Sequence, residues 1–100
     1  MRNNLIFLVL LFGSITISLR AGDCVSGNCV NGQGIMTFPN GDKYVGEFKT
    51  ERKAGYGVYY FVNGDRYEGD FKDDYPDGHG KAFLANGNIY EGEFKNNFPN

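Results

Sequence analysis

Residues 44–66 read YVGEFKTERKAGYGVYYFVNGDR, and the rest of the chain is a set of variations on them. Residues 67–89 follow as YEGDFKDDYPDGHGKAFLANGNI, and residues 90–100 begin the pattern again as YEGEFKNNFPN. The period is 23 residues. Tyr44, Tyr67 and Tyr90 fall in register, as do Gly46, Gly69 and Gly92, and then Phe48, Phe71 and Phe94. A repeat of this length implies small units that bury their apolar faces by stacking on their neighbours.

Strand side chains alternate between two faces. In the run from Lys43 to Lys49, Tyr44, Gly46 and Phe48 share one face, and Lys43, Val45, Glu47 and Lys49 share the other. Residues 50–54 read as a five-residue polar connection. In the following strand Gly55, Gly57, Tyr59 and Phe61 lie on one side, with Tyr56, Val58 and Tyr60 opposite. Asn63-Gly64 then reads as a two-residue type I′ turn, because both positions of that turn need positive φ. Asn40-Gly41 and Asn86-Gly87 repeat the signal. Each unit is therefore two antiparallel strands joined to the next by Asn-Gly.

Glycine inside a strand packs nothing by itself. The pairs Gly55/Gly57 and Gly78/Gly80, with Gly46, Gly69 and Gly92, are explained if the Tyr and Phe rings of the neighbouring strand lie over bare backbone. The opposite face mixes Glu47, Asp70, Glu91 and Glu93 with Lys43, Lys49, Lys72 and Lys95, and reads as solvated.

The pattern Y-x-G-[ED]-F, a polar loop, G-x-G, an aromatic strand and N-G resembles the MORN repeat (membrane occupation and recognition nexus). The resemblance covers residues 32–43 as a partial copy, 44–66 and 67–89 as full copies, and 90–100 as a truncated one. It implies an all-β protein of consecutive antiparallel hairpins in one elongated sheet, ahead of which the apolar N-terminal residues separately read as a signal or hydrophobic helix. It also implies a non-catalytic scaffold whose aromatic face contacts another protein. The residues it points to are Tyr44, Phe48, Tyr67, Phe71, Tyr90 and Phe94, whose alternative role is packing over the glycines. Two further readings stay open: a membrane-surface module, and an accessory subunit of an enzyme.

The first 22 residues have a different composition. A short basic start precedes the apolar residues 5–19, and Arg20-Ala21-Gly22 follows. This reads as a secretory signal peptide, with a membrane anchor as the alternative. The expected location is the cell envelope or the secreted space. Cys24 and Cys29, the only cysteines, then read as a disulfide clipping an N-terminal cap at residues 23–31. Closing so small a ring is worth about 2 kcal/mol.

Removing residues 1–22 takes away Arg2 and Arg20 and leaves 8 basic and 12 acidic residues, a net charge of −4. Nucleic acid is excluded as a partner, since it requires a basic footprint. The G-x-G pairs recur with the repeat and precede no helix, so they are not phosphate loops. His79 reads as a loop residue, Asp73 to Asp77 as a charged turn, and the recurring Glu47, Asp70 and Glu93 as part of the solvated face. No catalytic residue, cofactor or metal is expected. The strand from Tyr90 to Lys95 ends the pattern, which reads either as a truncated array or as an open edge where a second copy pairs.

Overall fold

The structure is a computed structural model that describes residues 22–95. The signal or anchor segment, with its apolar residues 5–19, lies outside the described residues, as do residues 96–100. Seven strands follow one another: β1 (Asp23–Gly27), β2 (Gly32–Thr37), β3 (Lys43–Lys49), β4 (Arg52–Tyr60), β5 (Arg66–Lys72), β6 (Tyr75–Phe83) and β7 (Ile89–Lys95). They form one open antiparallel sheet in which spatial order equals chain order. The all-β hairpin architecture expected from the repeat is the observed one.

Register explains the glycines. Gly34, Gly46, Gly57, Gly69, Gly80 and Gly92 pair successively across β2–β7 and make one glycine row through the sheet. Tyr44, Tyr59, Tyr67, Ala82 and Tyr90 form the row beside it.

The turns differ from the expectation. Asn40-Gly41 is not a two-residue type I′ turn. Gly41 N donates to Phe38 O at 2.9 Å and Phe38 N to Asp42 O at 3.0 Å, and of the two residues only Gly41 has positive φ. That is a three-residue loop with glycine in the bulge position. The loops at Gly64 and Gly87 have the same bonds. The two-residue turns lie at the other end of the sheet. Thr50-Glu51 (φ 51° and 67°) joins β3 to β4, and Asp73-Asp74 (φ 50° and 81°) joins β5 to β6. The connection expected over residues 50–54 is thus two residues long, and Arg52 to Ala54 already belong to β4.

A bulge then interrupts each of these hairpins. Gly46 pairs with Gly57 but Phe48 with Lys53, so β4 carries two extra residues; β6 repeats this against β5. The extra residues require left-handed backbone, supplied by Gly55 (φ 65°) and Gly78 (φ 106°). These two glycines therefore answer to backbone conformation and lie beneath no ring. The side chains above them are carboxylates, Glu47 over Gly55 and Asp70 over Gly78.

Both ends of the sheet are stitched at the repeat period. Asp42 is buried; its Oδ1 accepts the Val62 amide at 2.8 Å and its Oδ2 the Tyr59 hydroxyl at 2.8 Å. Asp65, one period on, accepts the Ala85 amide at 2.7 Å. At the opposite end Glu51 N donates to Val30 O at 3.0 Å, and Asp74 N to Lys53 O at 3.0 Å. Each loop thereby satisfies polar groups of the next hairpin, which a one-sheet protein cannot leave unpaired.

The N-terminal cap is more than a clip. β1 is a strand, with all five residues exposed, and the Cys24–Cys29 disulfide ties it to the loop after it. Cys29 is 6% exposed, and a Cβ on Gly34 would stand 2.8 Å from its sulfur. The sulfur covers the first glycine of the row, as tyrosine rings cover later ones.

Candidate interaction surface

Tyr44 and Tyr67 are 0% exposed, although the described residues form a single sheet. Their rings lie flat along the glycine row. A Cβ on Gly57 would come 2.5 Å from Tyr44 Cε1 and Cζ, and one on Gly80 would meet Tyr67 in the same way. The phenylalanines close the space between them. Tyr44 meets Phe48 and Phe71 edge to face at centroid distances of 5.1 and 5.0 Å. Tyr67 meets Phe71 and Phe94 at 5.2 and 4.8 Å, and Tyr90 meets Phe94 at 5.3 Å. The six rings form one unbroken zigzag. Edge-to-face contacts of this kind add about 0.5–1.5 kcal/mol each beyond the area they bury.

The hydroxyls are satisfied internally. Tyr44 donates to the Glu47 carbonyl at 2.8 Å, and Tyr67 to the Asp70 carbonyl at 2.9 Å. Burial pushes the Tyr67 hydroxyl up to about 12, aided by the charge of Asp70. Burial raises Tyr44 further, with Glu47 adding to it; Tyr59 is raised by burial and by its bond to Asp42. These raised values favour the neutral phenol, so the stability they carry is complete below pH 10 and is lost as pH rises towards 12 and beyond. Each such hydroxyl lowers stability by up to about 1.4 kcal/mol per pH unit in that window. In an absorbance titration these phenols should ionise together with alkaline unfolding, above the pH at which free tyrosine ionises.

The six rings read from the repeat as an interaction face are therefore placed differently. Tyr44, Phe48, Tyr67, Phe71 and Phe94 are buried core, and only Tyr90, 42% exposed, is open to a partner. The glycines assigned a structural role, Gly46, Gly57, Gly69 and Gly80, are where added Cβ atoms would strike rings or backbone. Gly92 is looser, with Tyr90 Oη 3.1 Å from its added Cβ.

Accessible aromatic surface on the same side lies beside this core. Phe38 stacks on Tyr59 at 5.6 Å, and Tyr59 meets Phe61 at 4.7 Å. Lys53, from the bulged part of β4, extends its ammonium to within 5.3, 5.8 and 5.6 Å of the Phe38, Tyr44 and Tyr59 centroids. Asp74 Oδ1 holds it at 3.3 Å. One repeat on, position 76 is Pro and position 82 is Ala, where Lys53 and Tyr59 stood. A hollow follows, lined by Lys53, Tyr59, Phe61, Tyr75 and Pro76. Tyr75 stands at its rim, 54% exposed.

The opposite face is not uniformly charged. Across β2–β4 it carries Ile35, Val45 and Val58 in one row, all half-buried. Across β5–β7 the same row continues as Glu68, Lys81 and Glu91 and becomes ionic. Arg66 pairs with Glu68 at 2.9 Å and lies 4.0 Å above the Phe83 ring centroid. His79 is in β6 rather than a loop, 3.3 Å from Glu91 and 3.8 Å from Glu93.

Sequence reasoning passed over Lys53, Asp42 and Tyr75. Asp42 had a signal, since Asp follows Asn-Gly again at Asp65. Lys53 had none, because the repeat does not preserve it, and Tyr75 reads only as part of the charged turn from Asp73 to Asp77.

The sequence model of the MORN repeat matches residues 31–43, 44–66, 67–89 and 90–100. No curated protein matches the chain.

Proposed function

The chain belongs to the MORN repeat family, and on that premise we propose that it is a non-catalytic binding module acting as a scaffold in the cell envelope or secreted space. It holds an apolar, basic-flanked segment of a partner protein along the strip beside the aromatic core. The observation that carries this reading is a division of labour among the rings. Apart from Tyr90, the repeat's own Tyr and Phe side chains are used up in the core, whereas Tyr59, Phe61 and Tyr75 edge an accessible hollow with Lys53 already neutralised by Asp74. Aromatic side chains lining a concave site, here half-buried Tyr59 and Phe61 with Tyr75 exposed at the rim, are of the kind enriched among binding hot spots. The net charge of −4 on the chain after residue 22 supports a basic flank on the partner. The Cys24–Cys29 bond is compatible with an oxidising compartment, which supports the extracytosolic setting.

A photo-reactive residue placed at Tyr75 should capture a protein in the envelope fraction, and one placed at Tyr56 on the opposite face should not. With the photo-reactive residue moved to Phe61, which lines the same hollow, Tyr75→Glu should weaken capture by at least about tenfold, the loss of a hot-spot side chain. Capture from position 56 alone would overturn the choice of face. Flotation of the pure protein with lipid vesicles, with no protein captured at either position, would replace the protein partner with a membrane surface.

A further inference from the structure

We propose that the Cys24–Cys29 disulfide is a redox latch: its reduction releases β1 and the following loop as a unit and lays bare the edge of β2, while the rest of the sheet stays folded. The latch is distinct from the binding strip and does not depend on it.

The segment held by the latch has little else to hold it. Every residue of β1 is exposed, and among the described residues β1 pairs only with β2, through a ladder interrupted at Val25. Among residues 23–31 the one buried side chain is Cys29. Its sulfur lies over Gly34, the site that corresponds to Gly57 beneath Tyr44 and Gly80 beneath Tyr67. In the later hairpins the cover is a ring fixed by phenylalanines on either side. In the first hairpin the cover is the Cys29 sulfur with the Asn28 backbone beside it, both in the loop that the bond to Cys24 closes. The loop itself bonds onward to the β3–β4 turn, through Glu51 N to Val30 O at 3.0 Å and Thr50 N to Asn31 Oδ1 at 2.9 Å. Opening the latch loosens that turn and stops there, because Phe48 and Tyr44 are held by Phe71 and the next hairpin.

The two sulfurs are differently accessible. Cys24 is exposed and Cys29 buried, so an external dithiol meets Cys24 first. One of its thiolates attacks the Cys24 sulfur, and the sulfur–sulfur bond breaks with Cys29 leaving as a thiolate that takes a proton. The second thiol of the dithiol then displaces Cys24, which is protonated in turn. The dithiol is oxidised to its cyclic disulfide by two electrons, and the protein is left with two thiols. The freed edge of β2 presents unpaired backbone groups, the form in which a sheet takes on another strand.

Hydrogen exchange of the full chain, with and without dithiothreitol, tests this. Loss of the loop constraint should speed exchange at the Asn28, Thr50 and Glu51 amides by roughly 30-fold. The Phe61 and Leu84 amides, which close the later loops onto Asp65 and Asn88, should exchange unchanged. A Cys24→Ser, Cys29→Ser double variant should reproduce the reduced pattern without reductant. Unchanged exchange at all five amides would overturn the latch. Equal acceleration at all five, or a double variant unfolded throughout, would also overturn it, by making the bond a staple for the whole sheet.

Discussion

Gly57→Ala should destabilise the protein by about 3 kcal/mol, as much as overpacking a core usually costs. The added Cβ would come 2.5 Å from Cε1 and Cζ of Tyr44. The ring has nowhere to go. Phe48 and Phe71 stand edge-on at about 5 Å on either side, and the Tyr44 hydroxyl is fixed to the Glu47 carbonyl. Moving the ring would break that bond and open the zigzag at its centre. Gly92→Ala makes the same chemical change beneath Tyr90, a ring 42% exposed and free to tilt. It should cost under about 1 kcal/mol, the range of substitutions away from packed features. Urea unfolding of the two variants measures the difference. Equal costs would mean that the rings do not rest on the glycine row.

Tyr67→Ala should cost about 4 kcal/mol, in the range for removing a large buried ring. Tyr67 is 0% exposed and, among the described residues, bridges Phe71 to Phe94, so its loss leaves a void in the middle of the zigzag. Tyr67→Phe keeps the ring and removes only the bond to the Asp70 carbonyl, at about 1 kcal/mol. The ratio of the two separates packing from hydrogen bonding. If Tyr67→Phe were nearly as costly as Tyr67→Ala, the hydroxyl would be what holds the ring.

The strands were legible because alternation has a period of two and the repeat displays it three times. The turns were misread for a definite reason. Asn-Gly marks a reversal without saying whether two or three residues make it, and Thr50-Glu51 and Asp73-Asp74 adopt positive φ with no glycine to announce it. The bulges at Gly55 and Gly78 belong to pairing between strands, which no single strand encodes. Alternation identified the aromatic face correctly but not that the rings would lie flat and cover one another. That is why the candidate contact residues proved to be core, while Lys53, which does not recur, gave no signal. The Cys24–Cys29 spacing suggested a bond; only the packing places its sulfur over Gly34, where later repeats have a tyrosine.

The central claim is that the repeat's tyrosines lie over glycines and so are not the partner surface. The most direct test is a proton NMR spectrum of the folded protein with Tyr and Gly assigned. The Hα resonances of Gly57 and Gly80 should be shifted strongly upfield by the overlying rings, with nuclear Overhauser contacts to Tyr44 and Tyr67 respectively. Hα shifts in the ordinary range, without those contacts, would contradict the account and return Tyr44 and Tyr67 to the surface.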